Sequence, residues 1–126
     1  MADKTLLENA ADGFSVKSPV GHWLYQRISA ATLVPLSIWL LVFLDKALHA
    51  SYAEVVDWLS LPINALAISA WTVVVVFHAA LGVQVVFEDY VSDIPLRTLA
   101  IRATNSIFLI LGVAALAAII IILLAR

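Results

Sequence analysis

The sequence predicts an all-α integral membrane protein with three transmembrane helices, which form part of a heteromeric helix bundle. Two observations predict this. Of 126 residues, 63% are hydrophobic and only 13% are charged, whereas an average soluble chain carries roughly 25% charged residues. The seven basic and nine acidic side chains all lie outside three windows, 28–44, 61–87 and 103–125, and the windows contain a single histidine, His78. A helix in a soluble core of this size would need a charged outer face. None of these windows has one, so they must meet lipid or other apolar helices. A soluble enzyme is excluded.

The elements follow in order. Residues 1–26 form a polar tail with Asp3, Lys4, Glu8, Asp12 and Lys17, ending in an interfacial approach. It has no apolar run long enough for the core of a signal peptide. The first transmembrane helix is assigned to 27–50. Its apolar run ends at Leu44 and extends through the snorkelling pair Asp45 and Lys46, giving about 34 Å of helix at 1.5 Å per residue. Pro35 lies inside it, where a membrane helix tolerates a modest kink if a hydroxyl such as that of Thr32 re-satisfies the freed carbonyl. Residues 51–60 form a polar non-cytoplasmic loop with Trp58 at the depth of an aromatic belt, and Pro62 suits the first turn of the next helix.

The second transmembrane helix covers 61–90. Its apolar run to Phe87 is about 40 Å long against a hydrocarbon core of ~30 Å, so it tilts or protrudes. A cytoplasmic loop, 91–102, follows, with Asp93 to Pro95 breaking the helix before Arg97 and Arg102. The third helix, 103–126, is plain aliphatic sequence in which Gly112, Ala114 and Ala118 allow close helix contact. Lys4, Lys17, Arg27, Arg97 and Arg102 lie on one side of the membrane, with Lys46 and Arg126 on the other. Five against two puts the N-terminus in the cytoplasm and the C-terminus in the periplasm.

Few residues could carry chemistry. The chain has no cysteine, so it supplies no disulfide, thiolate or iron–sulfur ligand, and any metal must use histidine. A net charge of −2, spread among loops, points away from nucleic acid. His78 is the one titratable group deep in the membrane, about 14 Å below the end of its helix. It is a structural histidine bonded across a helix interface, a proton relay or a haem ligand. A relay would want further acids at that depth, and none exists, so haem is favoured. Gly82, one turn on, leaves room for a flat ring. A second axial histidine cannot readily come from His22 or His49, because two nitrogen ligands across one metal are roughly 4 Å apart. Tyr90 beside Asp89 is an interfacial anchor at a solvated helix end, or a donor and supporting acid for a quinone carbonyl. Arg27 is a topogenic charge or a partner for a buried carboxylate.

The string His78-Ala79-Ala80-Leu81-Gly82-Val83-Gln84-Val85-Val86-Phe87-Glu88-Asp89-Tyr90 resembles the H-x3-G-x6-D-Y segment of the hydrophobic anchor subunit, called D, of succinate dehydrogenase, respiratory complex II. The three-helix layout and Arg27 at the start of the first helix are also similar to that family. The resemblance implies that His78 is the haem b axial ligand and so binds its metal, and that Tyr90 donates to the ubiquinone carbonyl with Asp89 as its supporting acid. Arg27 would lie near the haem propionates. It further implies a sister membrane anchor supplying the second haem histidine, with FAD and iron–sulfur clusters confined to the flavoprotein and iron–sulfur subunits. The chain would then be a subunit of succinate:quinone oxidoreductase, not catalytic alone, serving the respiratory chain and tricarboxylic acid cycle in the bacterial cytoplasmic (inner) membrane. Pro35 has no counterpart in that pattern. The alternative is a small transporter or channel subunit using His78 as a proton or ligand site.

Overall fold

A computed structural model describes residues 17–125 continuously, together with Glu8, Asn9, Asp12 and Ser15; the rest of the expected tail and Arg126 lie outside the described residues. The described chain is all-helical: α1 (Pro19–His49), α2 (Tyr52–Leu59), α3 (Pro62–Tyr90) and α4 (Ile94–Leu124). Three of these, α1, α3 and α4, are long and apolar enough to cross a membrane.

Helix starts lie further upstream than hydropathy alone indicates, because caps set them. Ser18 accepts a hydrogen bond from the Gly21 N–H at 3.0 Å, and Pro19 follows in the first turn, where its missing N–H costs nothing. Gly21 is required there, since a Cβ would overlap the Ser15 carbonyl. Asp93 likewise caps α4, its Oδ2 accepting from the Leu96 N–H at 2.9 Å, with Pro95 just inside. The helix break after Tyr90 is therefore only 91–93, and Arg97 and Arg102 stand on α4 rather than in a loop. Helix α1 runs unbroken through Pro35. The hydroxyl of Thr32 donates to the Ile28 carbonyl at 2.9 Å, so it does not serve the Ala31 carbonyl that the proline frees.

The connection expected to be an irregular loop contains α2. Ser51 and Glu54 form a reciprocal capping box, and the backbone N–H and hydroxyl of Ser51 hold the Glu54 carboxyl below its usual pKa range. The helix turns Leu59 inward, 4% exposed, and lays Trp58 against Trp39 with ring centroids 5.3 Å apart. Asn64, buried at the start of α3, ties this corner together. Its Nδ2 donates to the Trp58 carbonyl at 2.8 Å, and its Oδ1 accepts from Trp39 Nε1 at 3.3 Å.

Helix α3 is the middle helix, packing against α1 on one side and α4 on the other, while α1 and α4 do not pack together. Contacts between α1 and α3 run antiparallel: Ser29 meets His78, Ser37 accepts from Trp71 Nε1 at 3.2 Å, and Trp39 meets Asn64. The α3–α4 contact is close at Gly112, where an added Cβ would stand 3.4 Å from the methyls of Val76. Burial within the chain is slight. In the most apolar stretch of each long helix, 6% of residues are buried on α1, 17% on α3 and none on α4. The remaining apolar faces are left for lipid or for other helices.

Candidate functional site

The α1–α3 seam carries the chain's interior polar chemistry. His78, half-buried on α3, lies with Nδ1 2.9 Å from the hydroxyl oxygen of Ser29 on α1. Ser29 is only 5% exposed and is also 3.0 Å from the Gln26 carbonyl, to which its hydroxyl is placed to donate. An intramembrane imidazole needs a partner, and Ser29 is the one it has. His78 Nε2 makes no hydrogen bond within the described residues. Neutral imidazole nitrogen is a common metal ligand. Among the described residues no group of three or more His, Cys, Asp or Glu side chains converges on one point.

Gly82 does not face open space. A Cβ there would meet the side-chain amide nitrogen of Gln26 at 3.4 Å, so the missing side chain seats Gln26 where the sequence pattern predicts room for a flat ring. That expectation rests on helix periodicity, which says nothing of what a neighbouring helix inserts.

About two to three turns beyond His78 toward the C-terminal end of α3, the seam opens into a cavity of about 460 Å³ lined by Lys17, His22, Gln26, Arg27, Gln84 and Glu88, among others. The Arg27 guanidinium lies 3.9 Å from the Trp23 ring centroid, a cation–π contact that leaves its N–H groups available. Gln84 Nε2 donates to Glu88 at 2.8 Å. Two buried atoms here, His22 Nε2 and Gln26 Oε1, have no hydrogen-bond partner among the described residues. Each such atom left unpaired costs about 1–3 kcal/mol, so the cavity suits a polar occupant. Hydropathy alone passes over His22 and Gln26, because both precede the apolar window; their i, i+4 spacing, which puts them on one face, is the only signal that pairs them.

Tyr90, the last residue of α3, is 84% exposed. Asp89 is exposed too. They follow Glu88, which lines the cavity, yet neither lines it, and no hydrogen bond joins them within the described residues. Of the four site residues read from the sequence, Arg27 is brought to the cavity and His78 to the seam below it, while Tyr90 and Asp89 stand at the rim, facing outward.

Comparison with known proteins gives a family and several relatives. The family described as succinate dehydrogenase/fumarate reductase transmembrane subunit matches residues 3–123. Three curated relatives are each named succinate dehydrogenase hydrophobic membrane anchor subunit. One from Rickettsia bellii (strain RML369-C) is 42% identical over 102 residues, covering 80% of both chains. One from Rickettsia conorii (strain ATCC VR-613 / Malish 7) is 35% identical over 95 residues, 75% of both chains. One from Rickettsia felis (strain ATCC VR-1525 / URRWXCal2) is 35% identical over 94 residues, 75% of this chain and 78% of the relative. No solved structure matches.

Proposed function

Because this chain belongs to the succinate dehydrogenase/fumarate reductase transmembrane subunit family, we propose that it anchors a succinate:quinone oxidoreductase, ligates one haem b through His78 and contributes Tyr90 and Asp89 to the site of quinone reduction. Its partners are the sister membrane anchor, the iron–sulfur subunit and the flavoprotein subunit, with FAD and the iron–sulfur clusters held by the last two. The complex sits in the bacterial cytoplasmic membrane with the Tyr90 end of α3 toward the cytoplasm. The same family membership removes the ground for a transporter or channel subunit.

The residues fit the haem. His78 is oriented from one nitrogen and has the other unpartnered, and Arg27 lines a cavity along the same seam, where its charge would meet propionate carboxylates. Bound there, haem b supplies a one-electron store within the bundle. His22 does not share the depth of His78. Ser29 is level with His78, and His22 lies seven residues further along α1, roughly 10.5 Å away. A further histidine for the haem would come from another polypeptide.

Reduction of a quinone to a quinol takes two electrons and two protons. The electrons come from the iron–sulfur subunit, docked on the cytoplasmic face. Tyr90 holds the substrate by donating its phenolic proton in a hydrogen bond to a carbonyl oxygen, from the lipid boundary where a hydrophobic acceptor enters, and Asp89 supports the site from the same helix end.

The observation that carries the proposal is His78 itself, held from one side by Ser29 inside an uncharged stretch of the middle helix. The test is His78→Ala in the purified complex, with haem content measured beside the reduced-minus-oxidised spectrum. Loss of the low-spin b-type spectrum is expected. An unchanged spectrum with unchanged haem content refutes ligation by His78.

A further inference from the structure

We propose that Ser29 is a positioning residue for the haem: it selects the tautomer of His78 that leaves Nε2 free to bind metal, and it sets the basicity of that nitrogen. The inference rests on the reading of His78 as haem ligand. Proton counting separates the two tautomers. Ser29 has one hydroxyl proton and two neighbours within hydrogen-bond distance, the Gln26 carbonyl at 3.0 Å and His78 Nδ1 at 2.9 Å. A carbonyl can only accept. If the hydroxyl donates to His78 Nδ1, the contact with the carbonyl carries no proton and one hydrogen bond is lost. Nε2 would then hold the imidazole proton, with no acceptor for it among the described residues.

If instead His78 Nδ1–H donates to Ser29 and Ser29 donates to the Gln26 carbonyl, both protons are used and both contacts are hydrogen bonds. The Nε2 lone pair is then exposed. That is the tautomer a metal requires. Burial makes the choice firm: Ser29 is 5% exposed, so water does not supply an alternative donor or acceptor, and the backbone of α1 fixes the carbonyl that receives the chain of bonds. The relay runs from His78 to Ser29 to Gln26, coupling the ligand's orientation to the α1–α3 packing.

Donation from Nδ1–H pushes electron density toward Nε2 and favours the ferric over the ferrous state, so removing the acceptor raises the haem potential. The purified complex carrying Ser29→Ala is expected to bind haem about tenfold more weakly, at the lower end of the range for such supporting hydrogen bonds. Its haem midpoint potential rises by ~59 mV for each tenfold difference in affinity between the two oxidation states. The electron paramagnetic resonance g-values of the ferric low-spin haem shift as the ring loses its orientation. Ser29→Thr, which keeps the hydroxyl, restores all three. Ser29→Cys, of similar size and a poorer acceptor, lies between and decides the matter if the alanine variant fails to assemble. Wild-type potential and g-values in Ser29→Ala, or in Ser29→Cys where the alanine variant does not accumulate, overturn the inference while leaving His78 as ligand. A His78→Ala complex that keeps its haem spectrum overturns the ligation reading and this inference together.

Discussion

Removing only the hydroxyl of Tyr90 separates its two readings, interfacial anchor and quinone ligand. The side chain is 84% exposed and makes no hydrogen bond within the described residues, so Tyr90→Phe sacrifices no internal contact of the phenol, and the ring keeps its place at the membrane boundary. Stability should change by less than about 0.5 kcal/mol, as for surface substitutions elsewhere. On the quinone reading, the loss falls on the substrate. One neutral hydrogen bond contributes about 0.5–1.5 kcal/mol, which corresponds to roughly a two- to thirteenfold fall in quinone reduction. The assay compares two activities of the assembled complex: succinate-dependent reduction of a short-chain ubiquinone, and reduction of a soluble artificial acceptor that takes electrons directly from the hydrophilic subunits. The first should fall within that range and the second should hold. Equal, undiminished activities in both would strike Tyr90 from the quinone site and leave it an anchor.

Two further outcomes follow from the fold. Reporter fusions should place the 91–93 turn in the cytoplasm and a fusion after Arg126 on the opposite side, as expected from five basic residues against two; a cytoplasmic reporter at Arg126 would reverse the face on which electrons arrive. Asn64→Leu should strip the Trp39 indole of its partner and take one of two donors from the Trp58 carbonyl, which keeps the Leu61 N–H, at about 1–3 kcal/mol for the indole left unpaired, read as a lower thermal midpoint of the purified complex, and an unchanged midpoint would show that this corner bears little of the stability.

Much of the fold was legible because hydropathy reports what a membrane demands of a helix. The three windows free of charge each fall within a long helix to within one residue, and the capping residues Ser18 and Asp93 explain why α1 and α4 begin upstream of them. Helix α2 was harder to see. Eight residues carry too few turns for periodicity to speak, and the charges Glu54 and Asp57 resemble a loop until the capping box and the Trp58–Trp39 stack are in view. The site divides in the same way. His78 is conspicuous in sequence because nothing else in the windows titrates, whereas Ser29 is one hydroxyl among several, and only the antiparallel register of α1 against α3 identifies it as the partner. Gly82 illustrates the converse. A glycine on the right face suggested space, and the neighbouring helix fills that space with Gln26.

The distribution of unmet hydrogen-bonding capacity separates the roles of the three long helices. Nε2 of His78, Nε2 of His22 and Oε1 of Gln26 all lie along the α1–α3 seam, on the half of that seam toward Tyr90. Helix α4 carries Asn105, which with Gln84 lines a second cavity, largely apolar, between α3 and α4. Its Thr98 hydroxyl is taken up by the Ile94 carbonyl at 2.9 Å, and it comes close to α3 through the apolar contact of Gly112 with Val76. With none of its most apolar stretch buried in the chain, α4 braces α3 from behind and turns its other faces to lipid or neighbouring helices. The opposite side of α3 is where a polar cofactor or a partner's side chains can complete what α1 and α3 leave open. On the proposed function, a sister anchor that supplies a further haem ligand would approach from the α1–α3 side, and on these grounds substitutions on the outer face of α4 should leave haem binding unchanged.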